Sequence, residues 1–449
     1  MKTRLLIVLT LIGMITVSCS KDYFDEDKYV EIVTENFPVD NVDATHSWSC
    51  INECTADISI DIDRGKTYTV KVYGNDPMEG FTGYVLVQGQ VKNGNKLVAN
   101  FSYPTVSDNL YIAVVDENGT TYSCPVTVAN GKVAANITAN DLEKMQNTSR
   151  QIYDIGFDVA YCFEDSYPQP ADFDFNDVVI GTNMIKNIGD THTTITLNVS
   201  ILAVGSTKMM AAALHIAGLN AASVKSVECS GDLFRYNEYG LGNFTDENDK
   251  QFFPTEQPQA GYLTTPYQNN DIYIPLTNDV HYSINRGTVT SMGMVERLYY
   301  NTMHSSYISK PTEDGTIVFT GKNIAYVTGT ITITLNDGVG DRNITAKNLD
   351  MFVMEEYNSA IWEVHTFAYK TQPVIFTSGK YVKNVFPWAL AVPGSSFRWP
   401  AEGVAIGSSK GSTVFDGAFQ DLEHSFGMWA MDKNKAKDWY KYPQEDLVY

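Results

Sequence analysis

Acidic and amide side chains are concentrated in one short stretch of the chain, residues 163–180, which contains no Lys, Arg, Cys or His. Its five carboxylates and one of its two amides belong to Glu164, Asp165, Asp172, Asp174, Asn176 and Asp177. Unpaired carboxylates repel one another and are costly to bury. Closely spaced carboxylate and amide oxygens are the ligands that calcium takes, and without sulfur or imidazole they favour a hard cation over zinc. We therefore predict a calcium site formed by these six residues, with a solvated acidic turn as the alternative.

The backbone conformation at the centre of this stretch determines the direction in which each side chain points. In an extended strand, successive side chains point to opposite faces. An extended segment would place Asp172, Asp174 and Asn176 on one face and Phe173 and Phe175 on the other. The stretch lacks the sharp-turn Gly and the closing bidentate Glu of an EF-hand loop, so that motif is excluded.

Catalysis has little support from the residue types. A glycosidase needs two carboxylates about 5–10 Å apart, which Glu164 and Asp174 could supply, but clustered like charges are better explained by a shared cation. Glu363 and His365 share a strand face and could ligate a metal or form an acid–base pair, although a satisfied, half-buried His is the more ordinary interpretation. No Ser-His-Asp order stands out in the sequence, and no phosphate-binding glycine loop follows a predicted strand. We predict that the protein is not an enzyme.

The acidic stretch also resembles the signature of the LruC-domain family of bacterial lipoproteins, F-E-D-x-Y-P followed after a few residues by D-Y-D-F-N-D-x-V. The matching segments are Phe163-Glu164-Asp165, Tyr167-Pro168, Asp172 to Val179, Glu363-Val364-His365, Trp399-Pro400 with Glu402-Gly403, and an aromatic helix ending near Trp429. The resemblance covers about residues 153–445. It implies a β-rich lipoprotein of a Bacteroides-like cell envelope, and it implies no biochemical activity.

The start of the chain has the pattern of a secretory signal. Lys2 and Arg4 precede an apolar run from Leu5 to Val17, which is too short for a stable transmembrane helix. The run ends directly before Cys19, as in a lipobox, so we predict a signal peptide over 1–18 and lipidation of Cys19, with plain signal cleavage as the alternative. Residues 19–40 form an acidic tether that resembles the export signal of surface lipoproteins, or else a simple spacer. The predicted location is the outer membrane, lipid-anchored and exposed at the cell surface.

Composition predicts the class of fold and excludes one class of partner. A net charge of −21 leaves no basic face for nucleic acid. Alternating strand patterns and Asn-Gly turns predict an immunoglobulin-like β-sandwich over 41–136, followed by a linker helix over 137–151. Residues 152–449 are predicted to form a larger β-sandwich with a few short helices and an insertion at about 231–310. The fold is therefore expected to be all-β, with two independent cores, and Cys50 and Cys54 are near enough in sequence to pair.

Aromatic residues accumulate towards the end of the chain. Helical spacing of Phe415, Phe419, Leu422, Phe426 and Trp429 predicts a helix packed on a sheet. The alternative is a platform for sugar rings, formed by Trp399, Trp429 and Trp439. Two non-enzymatic functions remain open: a surface lipoprotein that binds glycans or proteins, or a structural envelope component whose cation site holds the fold together.

Overall fold

The computed structural model describes most of the chain after the tether. The described residues are 37, 39, 42–63, 65–107, 109–167, 172–243, 253–264, 270–303, 321–339, 343–357, 360–366, 386–407 and 424–449. The signal peptide, Cys19 and nearly all of the tether lie outside this range. So do parts of the 231–310 insertion and the predicted aromatic-helix positions Phe415, Phe419 and Leu422.

The first region contains seven strands and one short helix. The strands are β1 Ile51–Asp61, β2 Thr67–Tyr73, β3 Thr82–Lys92, β4 Lys96–Pro104, β5 Leu110–Val115, β6 Thr121–Val126 and β7 Lys132–Thr138. Helix α1 (Ala139–Leu142) and strand β8 (Gln146–Thr148) follow. The helix predicted over 137–151 is therefore only one turn long. It begins after Thr138, whose backbone N–H donates to the Asp141 carboxylate at 2.9 Å.

The second region continues the strand pattern. Its strands are β9 Tyr153–Phe163, β10 Val178–Ile188, β11 Thr193–Ala203, β12 Met210–Asn220, β13 Val224–Gly231, β14 Leu263–Thr264, β15 Asp271–Thr277, β16 Tyr299–Tyr300, β17 Gly321–Lys322, β18 Val327–Leu335, β19 Leu349–Tyr357, β20 Ala360–His365 and β21 Ala389–Pro393. Two short helices are described, α2 (Val280–Ile284) and α3 (Phe426–Met431). The all-β prediction is confirmed.

The described strands form four sheets, the smallest of which is the two-stranded pair of β16 and β17. Strands β4, β1 and β7 form one sheet, and β14, β15, β12, β19 and β20 form another. The largest sheet runs β13-β18-β11-β10-β9-β3-β2-β5-β6-β8, with β21 also paired to β9. Period-two patterning explains the packing, since Ile195, Leu197 and Val199 of β11 are fully buried while the Thr and Asn residues between them are half-buried.

The two regions are not independent cores, so that expectation is wrong. Strand β3 pairs in parallel with β9 from Thr82 opposite Tyr153 to Val85 opposite Gly156, which places both regions in one sheet. The fully buried Lys186 of β10 donates a hydrogen bond to the backbone carbonyl of Asn100 in β4. A single hydrophobic cluster also extends from the first region to the end of the chain. The region boundaries stay predictions, but the interior is continuous across them.

Cys50 and Cys54 do not pair with each other. Cys50 and Cys54 are both free thiols, because four residues of extended chain span about 13 Å, whereas a disulfide needs Cα atoms about 4.4–6.8 Å apart. No helix among the described residues is long and apolar enough to cross a membrane.

The C-terminal tryptophans are mostly core residues. Trp429 of α3 is 2% exposed and Trp439 is fully buried, and their ring centroids lie 5.4 Å apart. These two residues therefore cannot form a surface platform with Trp399, which is 6% exposed and lies elsewhere, stacked on Tyr449. Burial of the large apolar surfaces of Trp429 and Trp439 stabilises the fold, so core packing is the correct interpretation for these two residues.

Candidate cation site

Strand pairing brings the two halves of the acidic stretch together. β9 and β10 are antiparallel neighbours in which Phe163 lies opposite Val178. Glu164 directly follows β9 and Asp177 directly precedes β10, so both lie at the same end of the pair. The backbone N–H of Asp165 donates to the Asp177 carboxylate at 2.6 Å and closes this end.

The segment from Asp172 to Asp177 is not an extended strand, which corrects the sequence expectation. Phe173 and Phe175 have φ values of 57° and 54°, in the left-handed region that residues with a Cβ seldom occupy. The Glu164 carboxylate accepts hydrogen bonds from the backbone N–H groups of both, at 3.2 Å from Phe173 and in a short contact from Phe175. Both rings are buried in the core. Strain of this kind costs of order 1 kcal/mol or more per residue and tends to occur at functional sites.

Three carboxylates converge in this turn. Single oxygens from Glu164, Asp172 and Asp174 all lie within 4.8 Å of one another. Two oxygens bound to one calcium at about 2.3–2.6 Å can be at most about 5 Å apart, so the spacing suits a shared cation. Glu164 and Asp174 are buried whereas Asp172 is exposed, which leaves the site open to solvent on the Asp172 side.

Asn176 contributes a buried side-chain oxygen to this turn. Its side-chain nitrogen donates to Asp174 at 2.8 Å and to the carbonyl of Pro400 at 3.1 Å. Its Oδ1 atom, in a residue that is 0% exposed, accepts no hydrogen bond from the described part of the chain. A buried amide oxygen without a partner costs free energy unless a cation or water supplies one.

Glu402 approaches this oxygen from a distant part of the sequence. A Cβ atom placed on Gly205 would lie 1.8 Å from Oδ1 of Asn176 and 2.8 Å from Oε2 of Glu402. The two oxygens are therefore no more than about 4.6 Å apart, the sum of those distances. Only a residue without a side chain fits at position 205, since a methyl group would occupy the space into which both oxygens point.

The electrostatics of the cluster disfavour bare carboxylates. Burial, followed by neighbouring carboxylates, raises the pKa of Glu164, Asp174 and Asp177 well above ordinary values. The same causes raise the pKa of Glu402 to about 9, with Asp177 and Asp172 as its main charged neighbours. Such groups hold protons at neutral pH or bind a cation that replaces them.

Asp165 has a different role from the other acidic residues. Its carboxylate accepts hydrogen bonds from Ser166 at 2.7 Å and from Ser206 at 2.5 Å, and it forms an ion pair with Lys208 at 3.0 Å. Lys208 also contacts the buried carboxylate of Glu355 at 3.2 Å. Asp165 therefore lies beside the cluster, where Lys208 neutralises its charge. The other five predicted residues make up the cluster itself.

Sequence reasoning missed two components of the site, Glu402 and Gly205. Glu402 occurs in the Trp-Pro-x-Glu-Gly segment, where it was noted as part of a resemblance and not as a ligand. The backbone N–H of Gly403 donates to Asp174 at 2.8 Å and fixes this segment on the acidic turn. Gly205 follows β11 and carried no local signal.

The Glu363–His365 pair proves to be part of a buried chain of charges. Nδ1 of His365 lies 2.8 Å from Asp350 and Nε2 lies 2.9 Å from Glu363. Burial alone would lower the pKa of His365, but Asp350 and then Glu363 outweigh it and raise the pKa to about 10. Asp350 also lies 3.3 Å from Nδ1 of His215, which contacts Asp271 in turn. With both ring nitrogens next to carboxylates, His365 is the satisfied buried histidine of the ordinary interpretation.

Comparison with known proteins identifies no family for the chain. No family model matches, and no curated protein matches. Among solved structures, the chain is similar to a Bacteroides ovatus protein described as a "putative lipoprotein", with 15% identity and a TM-score of 0.46, over 85% of this chain and 98% of that one. It also matches the major pilin SpaD of Corynebacterium diphtheriae with 10% identity and a TM-score of 0.15, over 70% of this chain and 63% of the pilin. At these scores neither likeness supports a functional conclusion.

Proposed function

We propose that this protein is a non-enzymatic, calcium-stabilised β-sandwich lipoprotein that acts as a binding component of the bacterial envelope. The main support is that carboxylate oxygens of Glu164, Asp172 and Asp174 lie within 4.8 Å of one another. Beside them is the buried side-chain oxygen of Asn176, which has no donor among the described residues. Calcium takes six to eight oxygen ligands in flexible geometry, which this mixed set of carboxylates and one amide matches. Lipid attachment through Cys19 would fix the protein to the outer membrane, facing the cell surface.

The acidic residues support cation binding better than catalysis. An acid–base pair needs two carboxylates whose pKa values are pushed apart by different surroundings. Here burial and mutual repulsion raise the pKa values of Glu164, Asp174 and Asp177 together. A shared counter-ion relieves all three at once, and it would join the β9–β10 turn to the segment that carries Glu402.

The alternative is a structural envelope lipoprotein without a specific ligand. The deep burial of Trp429 and Trp439 favours it, because these residues offer no sugar-binding surface. A groove between β10, β11 and Trp399 favours the binding function. Both alternatives share the calcium site, so the same first experiment bears on each.

The test is thermal unfolding of calcium-free protein with and without added calcium, measured by scanning calorimetry. Calcium at one hundred times its Kd would stabilise the folded state by about 2.7 kcal/mol. For a cooperative unit of this length that is roughly a 3 °C rise in Tm, scaled from the entropy of unfolding per residue. Magnesium, which prefers rigid octahedral geometry and retains its waters, is the charge-matched control and should give a smaller rise.

A matched pair of variants separates the site from general charge effects. Asp172→Asn changes the exposed member of the converging trio and should abolish most of the calcium-dependent rise. Asp190→Asn removes an exposed carboxylate outside the cluster and should leave the rise unchanged. Superimposable curves for the original protein with and without calcium would refute the proposed site.

A further inference from the structure

A second polar site lies on the outer face of the large sheet, and it is distinct from the cation cluster. A groove of about 530 Å³ has a floor formed by strands β10 and β11 and a wall formed by residues that follow β21. Its floor includes Asn183, Asn198 and Ser200, and its wall includes Trp399. The volume is within the range typical of small-ligand sites, about 300–1,000 Å³.

Asp158 also lines this groove. No hydrogen bond or ion pair joins its carboxylate to another described residue, although the side chain is half-buried. Burial alone raises the pKa of Asp158 to about 6. A carboxylate left without donors in a concave surface is an acceptor for a ligand that carries N–H or O–H groups.

The same carboxylate lines a second cavity. This cavity, of about 410 Å³, is bordered by Tyr84, Tyr111 and Phe157 as well as by Asp158. The turn Gly394–Ser396 lies between the two cavities, and a Cβ on Gly394 would be 2.8 Å from the Asp158 carboxylate. Asp158 therefore occupies the junction of two adjoining spaces, which suits an extended ligand more than a compact one.

Aromatic rings and an amide line the larger groove. Tyr326 lines it and is 49% exposed. Trp399 and Tyr449 stack on each other at 5.7 Å between centroids. Asn198 uses its side-chain oxygen to accept from Thr330 at 2.9 Å, which leaves its N–H groups as donors without a partner among the described residues. Flat apolar rings beside separate hydrogen-bond donors and acceptors match the alternating C–H and O–H surfaces of a sugar.

The charge of the groove indicates which ligands fit. Its charged lining residues are Asp158 and Arg398, of opposite sign, and Arg398 is already bound to Glu445. Since Glu445 already neutralises Arg398, an anionic ligand would meet no free positive group there and would be repelled by Asp158. A ligand with hydroxyl groups supplies the O–H donors that the Asp158 carboxylate lacks. We infer that this groove binds a neutral oligosaccharide, with Asp158 accepting from sugar hydroxyls, Asn198 donating to them, and Tyr326 covering a ring face. The inference rests on the proposed binding function and names its ligand class.

The experiment is isothermal titration calorimetry of the full-length protein, in calcium, against a panel of neutral gluco-, manno-, galacto- and xylo-oligosaccharides. At least one panel member should bind. Tyr326→Ala and Asp158→Asn should each weaken binding about tenfold, since a ring contact or a buried hydrogen bond has roughly that effect. Tyr239→Ala is the matched control, because Tyr239 is 66% exposed and does not line the groove.

Three outcomes would overturn the inference: no panel member binds, both groove variants bind as tightly as the original protein, or the control variant is weakened equally. Both groove variants should fold, since one changes an exposed ring and the other an unpartnered carboxylate, and their melting curves check this. If calcium raises the Tm but no sugar binds, only the groove inference fails. If sugar binds while calcium leaves the Tm unchanged, the calcium proposal fails and the groove inference stands.

Discussion

The side-chain amide of Asn176 and the carboxylate of Glu402 both face the position that a Cβ atom would occupy at Gly205. A Cβ there would lie 1.8 Å from one oxygen and 2.8 Å from the other. Hydrogen bonds from Asn176 to the Pro400 carbonyl and from the Gly403 N–H to Asp174 join the turn before β10 to the segment that continues from Trp399. A cation bound at this point would hold together parts of the chain that have no strand pairing with each other.

Gly205→Ala should remove calcium binding without adding a charge. The new methyl group would overlap Oδ1 of Asn176 and displace it, and overpacking of this kind costs about 1–3 kcal/mol. We expect a lower Tm and no calcium-dependent rise in calorimetry. Gly74→Ala is the control, because its Cβ would meet only Leu86, at 3.5 Å, which is ordinary contact. A calcium-dependent rise that survives in Gly205→Ala would contradict the placement of the ion.

The calcium-free protein should lose stability as pH rises. Carboxylates whose folded-state pKa is raised, such as Glu164 and Glu402, stabilise the fold below their ordinary pKa near 4.5, and that contribution is lost as pH rises through the folded value, about 9 for Glu402. The Tm of calcium-free protein should therefore fall between pH 5 and pH 9, and saturating calcium should flatten the curve. Glu402→Gln should melt like the calcium-free original at neutral pH, where the carboxyl is protonated, and should gain less from calcium. A calcium-free profile that rises over this range would be incompatible with the cluster as described.

His365 should make its own contribution to the pH dependence. Its folded-state pKa of about 10, against an ordinary 6.5, means that its stabilisation is complete below pH 6.5 and disappears as pH rises through 10. The free energy of unfolding should decline by about 1.4 kcal/mol per pH unit within that window. Chemical denaturation of the original protein and of His365→Gln, both with calcium, isolates this term as the difference between their slopes. Parallel slopes would show that His365 does not titrate as the ion pair requires.

Membrane attachment should depend on Cys19. The lipoprotein prediction requires acyl chains on this residue, and more than one chain is needed for stable anchoring. Cys19→Ala should move the protein from the membrane pellet to the soluble fraction on cell fractionation. Cys229→Ala, which changes a free thiol far from the start of the chain, is the control and should remain in the pellet. Retention of Cys19→Ala in the membrane would refute the anchor.

Local patterns determined the strands and the composition of the acidic turn. Alternation along β11 and β18 identifies both strands, because burial on one face of a sheet imposes a period of two. The clustering of Asp172, Asp174 and Asp177 in a short stretch was enough to predict a cation site there. These features depend on neighbours within a few residues, so the sequence contains them directly.

The sharing of one core by both regions was decided only by tertiary structure. The parallel pairing of β3 with β9 brings together residues about 70 positions apart, and no local pattern specifies the partner of a sheet edge. The backbone of the acidic turn was also misjudged, since the left-handed Phe173 and Phe175 are stabilised by the Glu164 carboxylate and not by their own propensity. Contacts that no local sequence pattern specifies therefore corrected both expectations.

The composition of the candidate cation site shows the same division. The sequence by itself determined that Glu164, Asp172, Asp174, Asn176 and Asp177 are candidate ligands, because they occur in one stretch beside a single strand pair. Only the folded chain brought Glu402 and Gly205 to them and turned Asp165 towards Lys208. The physical reason is that a site's charge can be read from local residue types, whereas the direction of each oxygen depends on which distant backbone lies against it.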